Sequence, residues 1–233
     1  MYIQGVDLVG GYGGSDVLKG CSIGVDLGEV AVIVGPNGAG KSTAMKAMLG
    51  MLSIREGMIL LDGKNITSLS TQDRIAAGIA FVPQTDNVFT GLTVEENLEM
   101  GAFLREDDFS STLKTIYDLF PVLCEKRLQF AGELSGGQRQ QVAVGRALMI
   151  KPSVLMLDEP TAGVSPIVMD ELFSRILQIS RTGVAILMVE QNARQALNIA
   201  DRGYVLVQGQ NRFSGTGEAL LANQEVRESF LGG

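Results

Sequence analysis

The chain has no histidine and no tryptophan in 233 residues, and only two cysteines. Cys21 and Cys124 stand alone, with no CxxC pair and no histidine to complete a metal site, so both read as buried, reduced thiols. Basic charge is also scarce: 19 Lys and Arg face 26 Asp and Glu, a formal net charge of −7. None of the charge runs is basic, which excludes a general nucleic-acid binder and makes acidic partners a poor match. No apolar stretch approaches the ~20 residues that a bilayer span needs. The first residues, MYIQGVDLVGGYGG, lack the basic and apolar regions of a secretory signal, so the expectation is a cytoplasmic protein. If it works at a membrane, a partner must hold it there.

What is present is 45% hydrophobic residues, enough for one full core or two tightly joined lobes. Short apolar runs recur between helix-like segments: VAVIVG (30–35), MILLDG (58–63), IAFVPQ (79–84), VLMLDE (154–159) and AILMVEQ (185–191). Continuous runs of this length suit strands buried on both faces, hence a largely parallel α/β sheet. Several end in a polar residue at the C-terminal tip, where open α/β sheets place ligands. From about Val94 to Ile150 no such run appears, and apolar residues fall at helical spacings, which predicts an inserted helical lobe. RGYVLVQGQNRFSGTG (202–217) reads as an edge hairpin, and the final segment as short helices.

GPNGAGKS (35–42) matches G-x-x-x-x-G-K-[ST], follows VAVIV and precedes the helical run TAMKAMLGML. Gly35, Gly38 and Gly40 allow backbone N–H groups to curl around a phosphate at a helix N-terminus. Pro36, Asn37 and Ala39 complete that loop. Lys41 is expected to reach the β- and γ-phosphates, Ser42 to place its hydroxyl on Mg²⁺, and Thr43 to add a contact on the α-phosphate side. VLMLDEP then delivers Asp158 and Glu159 at a strand tip. Asp158 can hold magnesium through its hydration shell, while Glu159 can orient or deprotonate an attacking water.

Between these two halves lies LSGGQRQQ, Leu134 to Gln141, followed by VAVGRALM. In this order the motifs resemble the ATP-binding subunits of ABC transporters over essentially the whole chain. The resemblance implies an α/β P-loop NTPase fold with a mostly parallel core sheet, an antiparallel β subdomain and an inserted helical subdomain. The core lobe would span about 1–90 and 151–233, the helical lobe about 91–150. It also implies that ATP and Mg²⁺ are bound, and that two such domains pack head to tail with two ATP molecules between them. Ser135, Gly136, Gly137 and Gln138 would then act in trans on the γ-phosphate held by the other domain. Tyr12 matches the aromatic that stacks on adenine, and Gln84 the glutamine that touches Mg²⁺ and the water and links the nucleotide to the helical lobe. The family further implies transmembrane permease subunits, docked near TDNVFTGLTVEENL. Phe89, Leu92 and Val94 are either the floor of that dock or core.

Two positions depart from the common pattern. Ser165 stands where many members carry an aspartate, and Gln191 where a histidine usually contacts the γ-phosphate. A neutral amide can donate a hydrogen bond there but does not titrate near neutrality. Both departures, with VEQNA, LTVEENL…MGA and the terminal SFLG, resemble the ATP-binding subunits of branched-chain amino acid importers, in particular the second of two such subunits. That implies a partner ATPase, in a homo- or heterodimer, on the cytoplasmic face of the inner membrane, with a periplasmic substrate-binding protein outside. The alternatives are an importer for related substrates such as urea or amides, a soluble ABC ATPase, and a regulator that binds ATP without hydrolysing it. The absence of coiled-coil insertions and the acidic balance count against the second; Glu159 and the intact phosphate loop count against the third.

Overall fold

A computed structural model describes residues 1–230. The end of the SFLG motif, Leu231 and Gly232, lies outside the described residues. The strands are β1 (Ile3–Tyr12), β2 (Ser15–Val25), β3 (Val30–Val34), β4 (Ile54–Leu61), β5 (Lys64–Asn65), β6 (Ile79–Val82), β7 (Val154–Asp158), β8 (Ala185–Val189), β9 (Arg202–Val207) and β10 (Gln210–Gly215). The helices are α1 (Lys41–Leu49), α2 (Thr71–Ala76), α3 (Val94–Gly101), α4 (Ser110–Leu119), α5 (Pro121–Glu125), α6 (Gly136–Leu148), α7 (Pro166–Ser180), α8 (Ala193–Asn198), α9 (Gly217–Ala222) and α10 (Gln224–Phe230).

The strands form two sheets. The larger has the order β10-β9-β3-β8-β7-β6, parallel from β9 to β6 with β10 antiparallel at its edge. Its central strands are apolar without alternation because both faces are covered. Val30, Val32 and Val34 point into one core with helices α6 and α7, while Ala31 and Ile33 point into the other with α1 and the smaller sheet. The smaller sheet, β2-β1-β4-β5, is antiparallel.

MILLDG (58–63) departs from the expectation of a parallel strand. Met58 to Leu61 belong to β4, which pairs antiparallel with β1 and β5. Within β4 only Ile59 and Leu61 are buried, so one face alone is covered and the strand needs no flanking helix on the other. The hairpin at 202–215 is present, although β9 is interior, beside β3, and only β10 forms the edge. Its two-residue turn, Gln208 and Gly209, has φ of 51° and 82°, the pattern that suits right-twisted strands. Gly209 N–H donates to the Ala39 carbonyl (2.9 Å), and its own carbonyl accepts from Lys19 N–H (2.9 Å), so this turn braces the phosphate loop. Asn211 joins the two sheets by bonding both the N–H and the carbonyl of Ser22, at 2.7 and 2.8 Å.

Between Val94 and Leu148 the regular structure is helical, joined by loops at 102–109 and 126–135 that include a 3-10 turn at Ala131–Glu133 and one isolated bridge, Thr93 to Phe130. Arg105 ties this region together, donating to the Thr112 hydroxyl (3.0 Å), the Met149 carbonyl (2.7 Å) and Asp107. The three apolar candidates near residue 90 separate: Val94 is core, Leu92 is half-buried, and Phe89 is exposed with its ring 4.7 Å from the Arg146 guanidinium. Cys21 is buried, which pushes its thiol up to about 12, whereas Cys124 is half-buried; both are free.

Candidate functional site

The site lies at the C-terminal tips of β3, β6, β7 and β8, which the parallel pairing sets side by side. After β3 the chain turns through Gly35 to Gly40 and enters α1. Gly40 is the residue before that helix, with φ 99°, a conformation that strains any side chain, and it leaves the first N–H groups of α1 open. Gly35 passes so close to Leu206 that a Cβ would collide with its carbonyl oxygen. Pro36, Asn37 and Gly38 are exposed, Ala39 is buried and Thr43 is half-buried.

Lys41 is the first residue of α1 and is buried. Its Nζ folds back to donate to the carbonyls of Gly35 (2.8 Å) and Pro36 (3.2 Å). Burial lowers its pKa, with Glu159 and Asp158 pulling the other way. Ser42 donates its hydroxyl to Asp158 Oδ1 at 3.0 Å. Asp158 ends β7 in a buried position, and that burial raises its pKa, partly offset by the Ser42 hydroxyl.

Glu159 follows with φ 49°, a left-handed conformation uncommon for a residue with a side chain. Its N–H continues the ladder to the Val189 carbonyl (2.9 Å), and its carboxylate is turned toward two amides. Gln84 Nε2 donates to Glu159 Oε2 at 2.6 Å and Gln191 Nε2 to the same oxygen at 2.9 Å. These residues border a cleft of about 300 Å³ that also takes in Gly163 and Asn192.

The remaining sequence candidates stand apart from this cluster. Tyr12 is exposed at the end of β1, with its ring centre 6.0 Å from Lys46 Nζ. Ser135 caps α6 in a reciprocal box: its hydroxyl accepts from Gln138 N–H (3.3 Å), and Gln138 Oε1 accepts from Ser135 N–H (3.1 Å). Gly136 is open to solvent, and Gly137 lies against Val168 of α7. No hydrogen bond joins Ser135 to Gln138 with residues 35–43 among the described residues. Ser165 is exposed at the start of α7, and its side chain makes no capping bond.

Three residues missed by the sequence reading complete the back of the site. Glu190 Oε1 accepts from Thr161 N–H (3.0 Å) and Thr161 Oγ1 (2.8 Å), and Asn192 Nδ2 donates to Thr161 Oγ1 (3.2 Å). The available signal was an acid directly after the apolar run AILMV, matching Glu159 after VLMLD. No group of three or more Asp, Glu, Cys or His is placed to hold a metal ion by itself among the described residues.

A family model described as ABC transporter matches residues 18–162, from β2 through the phosphate loop to the segment after Glu159. The chain belongs to the ABC transporter family. The cassette is 44% identical over 223 residues to the high-affinity branched-chain amino acid transport ATP-binding protein BraG of Pseudomonas aeruginosa, covering 95% of this chain and 96% of that one. It is 40% identical to the probable branched-chain amino acid transport ATP-binding protein LivF of Archaeoglobus fulgidus, covering 99% and 98%. Among solved structures, the ADP conformation of an ATP-binding cassette of an ABC transporter superposes with a TM-score of 0.90 at 30% identity, over 100% and 99% of the two chains. Cassettes of this family bind nucleotide, are ATPases, and work with transmembrane transporter components. No helix of the described residues is long and apolar enough to cross a membrane.

Proposed function

We propose that this cassette is the ATP-hydrolysing subunit of an importer for branched-chain amino acids, seated on the cytoplasmic face of the membrane. Its partners are permease subunits, a second ATPase subunit and, indirectly, a periplasmic binding protein. What carries the hydrolytic part is the shared oxygen of Glu159: with Oε2 taking both Gln84 and Gln191, Oε1 is left to accept a proton from water. The substrate class is supported by the two relatives named for branched-chain amino acid transport, whose similarity runs over nearly their full lengths.

In this reading the open N–H groups before α1 receive the phosphates, and Lys41 exchanges the carbonyls of Gly35 and Pro36 for phosphate oxygens. Ser42 and Asp158 face each other as oxygen donors, a set that suits Mg²⁺ completed by phosphate oxygens and water, with Gln84 on the adjacent carboxylate. Mg²⁺, when bound, would neutralise charge that develops on the transferred phosphoryl group. Tyr12 offers an exposed ring face to adenine. Ser135, Gly136, Gly137 and Gln138, free of the cluster in their own chain, serve the site of the opposing subunit.

Permease docking falls on the groove of about 470 Å³ lined by Met51, Phe81, Phe89, Met100, Phe103 and Arg146. Asn97 stiffens its border by accepting from Phe89 N–H (2.8 Å) and donating to the Phe89 carbonyl (2.9 Å). The test is affinity purification of the tagged subunit from native membranes. We expect a permease and a second ATPase subunit to co-purify; recovery with soluble partners alone overturns the reading.

A further inference from the structure

Glu190 is 1% exposed, more deeply buried than Asp158 (7%) or Glu159 (8%), and no Lys or Arg forms an ion pair with it among the described residues. A buried carboxylate held by neutral donors alone is costly, and burial raises its pKa accordingly. Its bonds show what it holds. Oε1 takes both the N–H and the hydroxyl of Thr161, two residues past Glu159; Oε2 takes the N–H of Gln191 at 3.1 Å. Its own N–H is fixed to the Ile33 carbonyl of β3 at 3.1 Å, just before the phosphate loop. One side chain therefore fastens the turn after β7 to the turn after β8. Asn192 closes the same ring from the far side through Thr161 Oγ1.

The consequence falls on Gln191. Its side chain is exposed and is oriented by a single bond, Nε2 to Glu159 Oε2. That bond needs the backbone at 191 and the backbone at 159–161 to keep their spacing, and beyond the Glu159–Val189 ladder bond Glu190 is the side chain that holds both, with Asn192 adding one bond to Thr161. We propose that Glu190 is a positioning residue for hydrolysis, acting through Thr161 and the Gln191 backbone to hold Gln191 on Glu159. The proposal rests on the reading of Glu159 as the base.

Glu190→Gln keeps shape and volume but exchanges one acceptor for a donor, so either Thr161 N–H or Gln191 N–H loses its partner. Displacing a supporting contact of this kind lowers turnover by about 10- to 100-fold. The experiment measures steady-state ATP hydrolysis by the assembled transporter, ATP affinity by calorimetry and thermal midpoint for Glu190→Gln, Thr161→Val, Thr161→Ser and the Glu190→Gln/Thr161→Val double variant. Expected are a lower kcat with KM and ATP affinity within about two-fold, a double variant no slower than the slower single, and Thr161→Ser close to wild type. Wild-type kcat in Glu190→Gln, additive losses in the double variant, or a fall in ATP affinity and thermal midpoint in step with kcat overturns it. Glu159→Gln is run alongside: if that variant hydrolyses normally, the reading of the site itself has failed, whereas loss in Glu159→Gln with full activity in Glu190→Gln removes only the positioning role.

Discussion

The sheet tips and the N-terminus of α6 are both glycine-flanked entries to a helix, yet their polar groups are committed differently. At the sheet tips, side chains from distant parts of the chain bond one another: Ser42 to Asp158, and Gln84 and Gln191 to Glu159. At α6, Ser135 and Gln138 bond only each other, and Gly136 faces open space. The first arrangement fixes side chains from four separate segments against one another, as the proposed nucleotide site requires. The second is a finished helix cap with open space beside Gly136, the arrangement that the proposed role on an opposing subunit calls for.

Three substitutions test that contrast. Glu159→Gln has the largest expected effect: turnover falls by about 100-fold or more while ATP still binds, because the phosphate loop is untouched. Undiminished hydrolysis would remove Glu159 from the mechanism. Lys41→Ala strikes the other function of the same region and should weaken ATP binding by roughly 10- to 100-fold, the loss expected for a charge-assisted hydrogen bond. Calorimetry on the isolated subunit reads this directly, and unchanged affinity would show that the loop does not hold phosphate. Ser135→Ala should separate the two regions. It costs about 1 kcal/mol of stability through the lost cap, leaves ATP affinity of the isolated subunit unchanged, and lowers hydrolysis only in the assembled dimer. Weakened ATP binding in the isolated subunit would place Ser135 on its own site and erase the contrast.

The residues that cluster at the sheet tips were legible because each is marked locally. A glycine pattern sits between an apolar run and a helical one, and polar residues end apolar runs of four or five. Glu190 carried the same mark, as the acid that ends AILMV, but nothing in the sequence named its partner, and Thr161 carried no mark at all. Their contact depends on β7 and β8 lying parallel with Asp158 opposite Val189, a register set by pairing across some thirty residues of intervening chain. The same limit explains β4, where MILL reads as apolar on both faces until the pairing with β1 leaves one face uncovered. Phe89 and Val94 are both apolar in sequence. Only the packing of α3 against α6, and the cation beneath the Phe89 ring, separates groove from core.

The brace between the Gln208–Gly209 turn and the phosphate loop bears on how the protein is made. The family match ends at residue 162, and every residue of the GPNGAGKS loop has left the ribosome long before residue 209 does. Yet the wall behind Gly35 is the Leu206 backbone, and the Ala39 carbonyl is satisfied by Gly209. A nascent chain that already displays the whole GPNGAGKS motif therefore lacks one side of that loop. The loop is complete only once β9 and the Gln208–Gly209 turn have packed behind it.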